Sequence, residues 1–216
     1  MVSLSTHNNL LLCGGSLISK SWVLTSAFCF FDGIKPSDII VRLGSNYSTV
    51  DGQTSTVEKL EIHRQFNVIT RDNNFALVKL SRSFDNSPTI ASIALREPFP
   101  ELFVGQECFI SGYGWTELNG ATSADHRLRS ASVIIINHAS CVQENRPTKI
   151  TTKTLCATAP GRDGCVGDSG GPMMCNGKLA AIISWGRGCA QGKSLGMYAD
   201  PNDVRSWIQS YGITLS

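Results

Sequence analysis

Short apolar or alternating runs recur along the chain, separated by turns rich in Gly, Asn, Asp and Pro. The runs are rich in Val, Ile and Phe, which are residues that favour β-strands. Many short strands punctuated by turn residues are typical of a sandwich or a barrel. The pattern therefore predicts an all-β fold. The clearest runs are WVLTSAF, DIIVRLG, FALVKL, ECFISGYGW, ASVIIIN and KLAAIISWG.

The end of the chain follows a helical pattern instead. After Pro201, Asn202 can cap the segment DVRSWIQSYG, in which Val204, Trp207 and Ile208 share one helical face. The region PTIASIALREPFPELFVGQ contains three prolines and is predicted to connect two halves of the chain.

Length and charge exclude several classes of protein. A chain of 216 residues suits one sizeable domain, or two small subdomains that share an interface. The net charge is +2 and the basic residues are scattered, with Arg127 and Arg129 as the densest pair, so we expect no nucleic-acid partner. No apolar run approaches the roughly 20 residues of a membrane-spanning helix.

The eight cysteines indicate the compartment. None has the Cys-x-x-Cys spacing of a zinc or redox site, and the four histidines lie far from them in sequence. An even number at wide, irregular spacing favours four disulfides and an oxidising compartment, with buried free thiols as the alternative. We therefore expect a secreted protein with no metal and no cofactor.

The first residues do not supply the signal that secretion requires. The segment MVSLSTHNNLLLC has no basic region and too short an apolar core for a signal peptide. We therefore expect the printed chain to begin inside its domain. The sequon Asn46-Tyr47-Ser48 is compatible with glycosylation of Asn46.

A serine in a glycine-rich run is the first candidate for chemistry. In GRDGCVGDSGGPMMC, the backbone N–H groups of Gly167 and Ser169 can point to one spot, as in an oxyanion hole, while the Ser169 hydroxyl stays exposed. As a bare string, the same run could be an ordinary glycine-rich loop.

The other motifs in the sequence favour a catalytic origin for this run. Together LCGGSLISKSWVLTSAFC, DNNFALVKL, GDSGGP, IISWGRGCA and GMY resemble the chymotrypsin/trypsin-like serine protease family, in the same order and at similar spacings. The resemblance implies two six-stranded antiparallel β-barrels and a C-terminal α-helix, which we expect over residues 1–97, 98–201 and 202–216. It also implies the disulfides Cys13–Cys29, Cys108–Cys175, Cys141–Cys156 and Cys165–Cys189.

The half of the site that holds the substrate matches this family. Ser169 matches the nucleophile and Gly167 an oxyanion donor. Asp163 matches the carboxylate that gives trypsins their preference for Arg or Lys. The substrate-binding strand and the pocket walls match at Ser184, Trp185, Gly186 and Gly196.

The half that performs the chemistry does not match. Phe28 stands where the family has its histidine base, and Asn74 stands where it has the orienting aspartate. Phenylalanine cannot accept a proton from Ser169. An amide at the aspartate position lowers kcat about 10⁴-fold in this type of enzyme. Asp72 is close, but using it would shift the strand FALVKL out of register.

The remaining histidines offer no replacement base. His7, His63, His126 and His138 occur at places where we expect solvent-exposed, non-catalytic side chains.

Two arginines distinguish this cleft. Arg71 should point toward the second substrate pocket, where it could approach Phe28 in a cation–π contact, and Arg187 lies at the rim beside Gly186. They either block the cleft in part or are solvated surface residues. Ser45 stands where calcium-binding relatives use a carboxylate, so we expect no calcium.

The residue before the nucleophile completes the comparison. In this family the aspartate at the position of Asp168 pairs with an ammonium group freed by activation cleavage. The printed chain lacks that segment, so we expect Asp168 to turn elsewhere and leave a zymogen-like oxyanion hole.

These observations favour a secreted, monomeric, inactive protease homologue of the type found in arthropods, parasitic mites included, and in vertebrates. By resemblance it would bind a protein partner, as a cofactor, decoy or inhibitor in immune cascades such as complement or clotting. The alternative is an active trypsin-like endopeptidase cleaving after Arg or Lys. A third possibility is residual esterase activity of Ser169.

Overall fold

Six antiparallel strands form the first of two closed barrels. The structure is a computed structural model that describes residues 1–118, 121–123, 126–158, 166–186 and 195–215. The strands pair in the order β1–β2–β3–β6–β5–β4, and β4 closes the ring on β1. Their bounds are β1 Val2–Thr6, β2 Leu11–Leu17, β3 Trp22–Thr25, β4 Ile39–Leu43, β5 Gln53–Ile62 and β6 Ala76–Leu80.

The second barrel repeats the architecture with six antiparallel strands. A two-stranded ribbon of β8 (Thr116–Leu118) and β9 (Ala121–Ser123) lies between its first two strands in the sequence. The strands pair in the order β10–β11–β14–β13–β12–β7, and β7 closes the ring on β10. Their bounds are β7 Glu107–Gly112, β10 Arg129–Ile135, β11 Thr154–Thr158, β12 Pro172–Cys175, β13 Lys178–Gly186 and β14 Leu195–Ala199.

Alternating apolar residues fill the barrels. In β4, Ile39, Val41 and Leu43 are buried while the residues between them are partly exposed, which is the period of two that a half-buried strand requires. Each barrel encloses its own apolar cluster. The predicted all-β fold with two six-stranded barrels is confirmed.

A third apolar cluster joins the two barrels. Leu24 and Leu77 of the first barrel share it with Leu179 and Ile182 of the second, and Ile208 of the last helix packs on it. The proline-containing connector contributes Leu95 to the same cluster, which fixes the barrels against each other and creates the cleft between them.

The C-terminal helix begins later than the sequence predicted. Asp200, and not Asn202, caps a 3₁₀ turn over Pro201–Val204, and the α-helix α2 follows at Arg205–Gln209. Pro201 explains the position of the cap, because its fixed φ suits the first position of the 3₁₀ turn, and the α-helix starts only after that turn ends. The other α-helix, α1, spans His138–Glu144.

Disulfides brace both barrels. The structure contains Cys13–Cys29, Cys108–Cys175 and Cys141–Cys156, which are three of the pairs implied by the family resemblance. The fourth pair, Cys165–Cys189, lies outside the described residues. Among the helices in the described part of the chain, none is long and apolar enough to cross a membrane.

Candidate functional site

Backbone contacts hold Phe28 at the edge of the cleft. It lies in a 3₁₀ turn, Ala27–Phe30, that follows β3 and is capped by the Ser26 side chain. The Phe28 N–H donates to Oδ1 of Asn74 at 2.9 Å and to Oγ of Ser26 at 3.3 Å. The ring itself is 39% exposed and stacks on Phe31, with the ring centroids 6.2 Å apart.

Asn74 is the buried centre of this wall of the cleft. Its side chain has no exposed surface. Oδ1 also accepts a hydrogen bond from the Ser26 hydroxyl at 2.9 Å, and Nδ2 donates to Oγ of Ser184 at 2.8 Å. A neutral amide meets these donors and this acceptor without placing a charge in the interior. Sequence reasoning missed Ser26, which is distinguished only by its place two residues before Phe28.

Asp72 takes no part in the hydrogen bonds around Asn74. It accepts a hydrogen bond from the hydroxyl of Thr151, in the second half of the chain. The neighbouring Asn73 accepts one from Nζ of Lys153 at 2.9 Å. The acidic side chain nearest to Asn74 in sequence is thus engaged away from Phe28.

The turn that carries Ser169 is pressed against the first barrel. The Gly14 N–H donates to the carbonyl of Ser169 at 2.9 Å. Gly170 has φ +79°, and a Cβ there would lie 2.1 Å from Oγ1 of Thr25, so only glycine fits. The Ser169 side chain is half-buried, and its hydroxyl makes no hydrogen bond to a described residue.

Two backbone N–H groups, those of Gly167 and Ser169, lie at the serine turn. Gly167 has φ +94°, a value that side chains disfavour. The N–H groups of Gly167 and Ser169 donate to no group in the described ranges, so both are available to an oxygen atom of a ligand. This is the requirement that an oxyanion hole makes of its donors.

Asp168 is turned under this loop. It is 9% exposed, and its Oδ1 accepts the N–H of Gly114 at 2.7 Å. Gly112 and Gly114 leave the room for its carboxylate, because a Cβ at either residue would lie within 2.5 Å of an Asp168 side-chain atom. Glycine is therefore needed at both positions for the Asp168 carboxylate to lie here.

Arg71 covers Phe28. The carbon at the centre of its guanidinium lies 3.5 Å from the centroid of the Phe28 ring, which is the contact that the sequence suggested. Burial lowers the pKa of Arg71, and its Nη1 has no hydrogen-bond partner among the described residues. Its backbone is left-handed, with φ +61°. Both the left-handed backbone and the burial of the guanidinium cost free energy, and both accompany the placement of this side chain over the ring.

The substrate-binding strand is partly described. Ser184 is buried against Asn74, while Trp185 and Gly186 pair with β14 residues, Gly186 directly opposite Gly196. A Cβ at Gly196 would lie 2.4 Å from the Tyr198 hydroxyl oxygen. The predicted pocket carboxylate and rim arginine, Asp163 and Arg187, lie outside the described residues.

The histidines and the sequon lie elsewhere. None of the four histidines forms a hydrogen bond with Ser169. His63 is half-buried against Trp207, contrary to the expectation that it is solvent-exposed, because helix α2 packs over it. His126 is also half-buried, with Nδ1 3.2 Å from Oγ of Ser48. Asn46 is exposed.

The amino-acid sequence is similar to those of known trypsins. The model of the family described as Trypsin matches residues 1–208. Porcine (Sus scrofa) trypsin is 37% identical over 213 residues, covering 96% of this chain and 87% of that protein. Trypsin-3 of Salmo salar is 37% identical over 92% of this chain and 82% of its own length. Trypsin beta of Drosophila erecta is 35% identical over 91% of this chain and 77% of its own length.

Proposed function

The chain belongs to the trypsin family of serine proteases, and on that premise we propose that it is a proteolytically inactive member that acts by binding a protein partner. The observation that carries the proposal is the neutral network at Asn74. The amide accepts the Phe28 N–H and donates to Ser184, so the place of the base and the place of the aspartate are both filled by groups that cannot move a proton.

The lack of activation follows from elementary chemistry. A serine hydroxyl attacks a carbonyl only when a neighbouring base takes its proton. Phe28 has no lone pair, and the hydroxyl of Ser169 has no hydrogen-bond acceptor among the described residues. Protonation of the leaving amine needs the same missing group. Binding is thus the function that remains for the cleft.

The surface around the cleft suits a protein partner. Val166 beside the serine turn is 63% exposed, and its carbonyl accepts the N–H of Trp115, which is 39% exposed. Phe28 and the 56% exposed Phe31 stack on the other side of the site. Large exposed apolar and aromatic side chains around unpaired backbone donors are typical of protein-binding surfaces.

The compartment and the partner class belong to the same proposal. Three disulfides favour an oxidising, extracellular compartment. A cleft that keeps the backbone donors of Gly167 and Ser169 suits the same extended segments that proteases bind. We therefore place the partner in an extracellular proteolytic cascade, such as complement or clotting, in which the protein serves as cofactor, decoy or inhibitor.

One alternative has specific support. The relatives are named trypsins, and both oxyanion donors are unoccupied in the described ranges, so an endopeptidase acting after Arg or Lys is the second candidate. That activity would require a base that reaches Ser169 from outside the described contacts.

Activity and labelling assays separate the two candidates. The secreted, correctly processed protein is incubated with an Arg-containing chromogenic substrate and with a fluorophosphonate probe, beside its Ser169→Ala variant and porcine trypsin. We expect turnover indistinguishable from that of the Ser169→Ala variant. Stoichiometric labelling of Ser169 together with turnover would overturn the proposal.

A capture experiment identifies the proteins that the chain binds and tests whether they bind at the cleft. The immobilised protein and its Phe31→Ala variant are exposed to plasma or haemolymph, and bound proteins are identified by mass spectrometry. We expect cascade components to be retained by the parent and depleted at least tenfold on the variant. Equal retention by the two proteins would place the binding surface away from the cleft.

A further inference from the structure

A cavity of about 410 Å³ lies between the chain that follows β5 and the last helix. His63, Arg64 and Gln65 line one side, and Trp207, Ser210 and Tyr211 line the other. Its volume is within the range of small-molecule sites. None of the proposed cleft functions uses these residues.

Aromatic rings form one wall of the cavity. The centroids of Trp207 and Tyr211 are 5.7 Å apart at 83°, and Trp22 supports Tyr211 at 5.7 Å. The edge of His63 meets Trp207 at 4.9 Å. Because Trp207 and Tyr211 pack on the cluster that joins the barrels, the wall is rigid.

His63 presents one defined donor. The Gln65 N–H donates to its Nδ1 at 3.3 Å, so the proton of the neutral ring resides on Nε2. Burial, with a smaller contribution from the charge of Lys153, lowers the pKa of His63 and so favours the neutral ring. In the described ranges nothing accepts from Nε2.

Two further donor groups are available for hydrogen bonds. The guanidinium of Arg64 and the side-chain amide of Gln65 are exposed and make no hydrogen bond or ion pair with a described residue. The pKa of Glu61 is lowered chiefly by its hydrogen bond with Lys59 and in smaller part by the charge of Arg64, but the Glu61 carboxylate is hydrogen-bonded to groups other than Arg64. Glu61 is held by Lys59 at 2.5 Å and by the Tyr211 hydroxyl at 3.0 Å.

Backbone N–H groups on both sides of the cavity already donate hydrogen bonds within the protein. The N–H groups of His63 and Phe66 donate to backbone carbonyls, as do those of Ser210 and Tyr211 in the last helix. The cavity therefore offers side-chain donors and ring faces but no strand edge to which a peptide could add.

We propose that this cavity binds a carboxylate-bearing saccharide unit. The sugar's apolar face packs on Trp207 and Tyr211, and its carboxylate accepts charge-assisted hydrogen bonds from Arg64. The Gln65 amide and the Nε2–H of His63 serve its hydroxyl oxygens. The inference is independent of the cleft and holds whether or not Ser169 is active.

A defined tetrasaccharide of glucuronic acid and N-acetylglucosamine is the probe. Binding to the full chain is measured by the shift of the Trp207 indole N–H signal among the four tryptophans, with the assignment made by Trp207→Phe. The carboxyl-reduced tetrasaccharide keeps the rings and hydroxyls without the charge. We expect it to bind at least tenfold more weakly, because a hydrogen bond to a charged group is lost.

Substitutions test the assignment of the donors. Arg64→Ala should weaken binding of the acidic tetrasaccharide at least tenfold, whereas Arg82→Ala, which removes an equal charge beside Phe84, should leave binding unchanged. Equal losses in the two variants would overturn the proposal in favour of diffuse attraction. So would binding of an acidic peptide in place of the saccharide, or no shift at about 10 mM saccharide.

Discussion

The Phe28 N–H donates to Oδ1 of Asn74 at 2.9 Å, so the two residues are joined through the backbone of one and the side chain of the other. The bond does not depend on the side chain at position 28. It also shows why an amide suits position 74, because with no imidazolium nearby a carboxylate there would lose its counter-charge.

We predict that Asn74→Ala lowers the free energy of unfolding by about 3 kcal/mol, since it removes three hydrogen bonds, two of them to the buried hydroxyls of Ser26 and Ser184, and opens a cavity. Urea denaturation measures the change. The exposed Asn46→Ala is the matched control and should stay within about 0.5 kcal/mol of the parent. Similar losses in the two variants would contradict the central role of Asn74.

Restoring the base alone should not restore turnover. In Phe28→His, the Asn74 amide cannot stabilise an imidazolium, so we expect the double variant Phe28→His/Asn74→Asp to exceed the single variant by up to about 10⁴-fold in kcat. The measurement is hydrolysis of an Arg ester at pH 8. Equal activity of the two variants would show that the orienting carboxylate is not what the cleft lacks.

Arg71 offers a test of backbone strain. Arg71→Ala loses the contact with Phe28 and keeps the left-handed φ, whereas Arg71→Gly loses the contact and removes the strain. We predict that the glycine variant is more stable than the alanine variant by about 1 kcal/mol. Thermal unfolding with calorimetry compares them. The opposite order would mean that the loop does not hold this φ in solution.

The stability of the protein should fall as the pH falls through about 6.5. The pKa of His63 is lowered in the folded state, chiefly by burial, so the unfolded chain binds the proton first. Stability is retained above the unfolded pKa and is lost as the pH approaches the lowered value. His63→Gln should flatten this dependence in urea titrations at pH 7.5 and 5.5. An unchanged slope would place the titration elsewhere.

The all-β class of the fold was predictable because strand periodicity acts locally, and the two barrels were predictable only through the family resemblance that the motifs carry. The GDSGGP run specified its own turn, since Gly170 fits against Thr25 only without a side chain. The start of the last helix was displaced by Pro201, whose φ suits the first helical position. That choice between neighbouring caps is local, because the side chain of Asp200 accepts the N–H of Asn202 and Pro201 occupies the first helical position.

The site was less predictable where long-range contacts decide. The sequence indicated that Phe28 and Asn74 depart from the family, but not that Ser26 joins them, because a lone serine has no distinguishing pattern. It also assigned His63 to the surface. Its contact with Trp207 spans most of the chain and has no local signature.

The bond from Gly14 to the Ser169 carbonyl, with Gly170 wedged against Thr25, has a mechanical consequence. The serine turn belongs to the second half of the chain yet is hydrogen-bonded to the first, so the two walls of the cleft are joined directly at this point. Because these contacts exist before any partner binds, we expect the protein to lose little conformational entropy at this turn on docking. The cleft therefore offers a partner a surface whose two walls are already joined before binding.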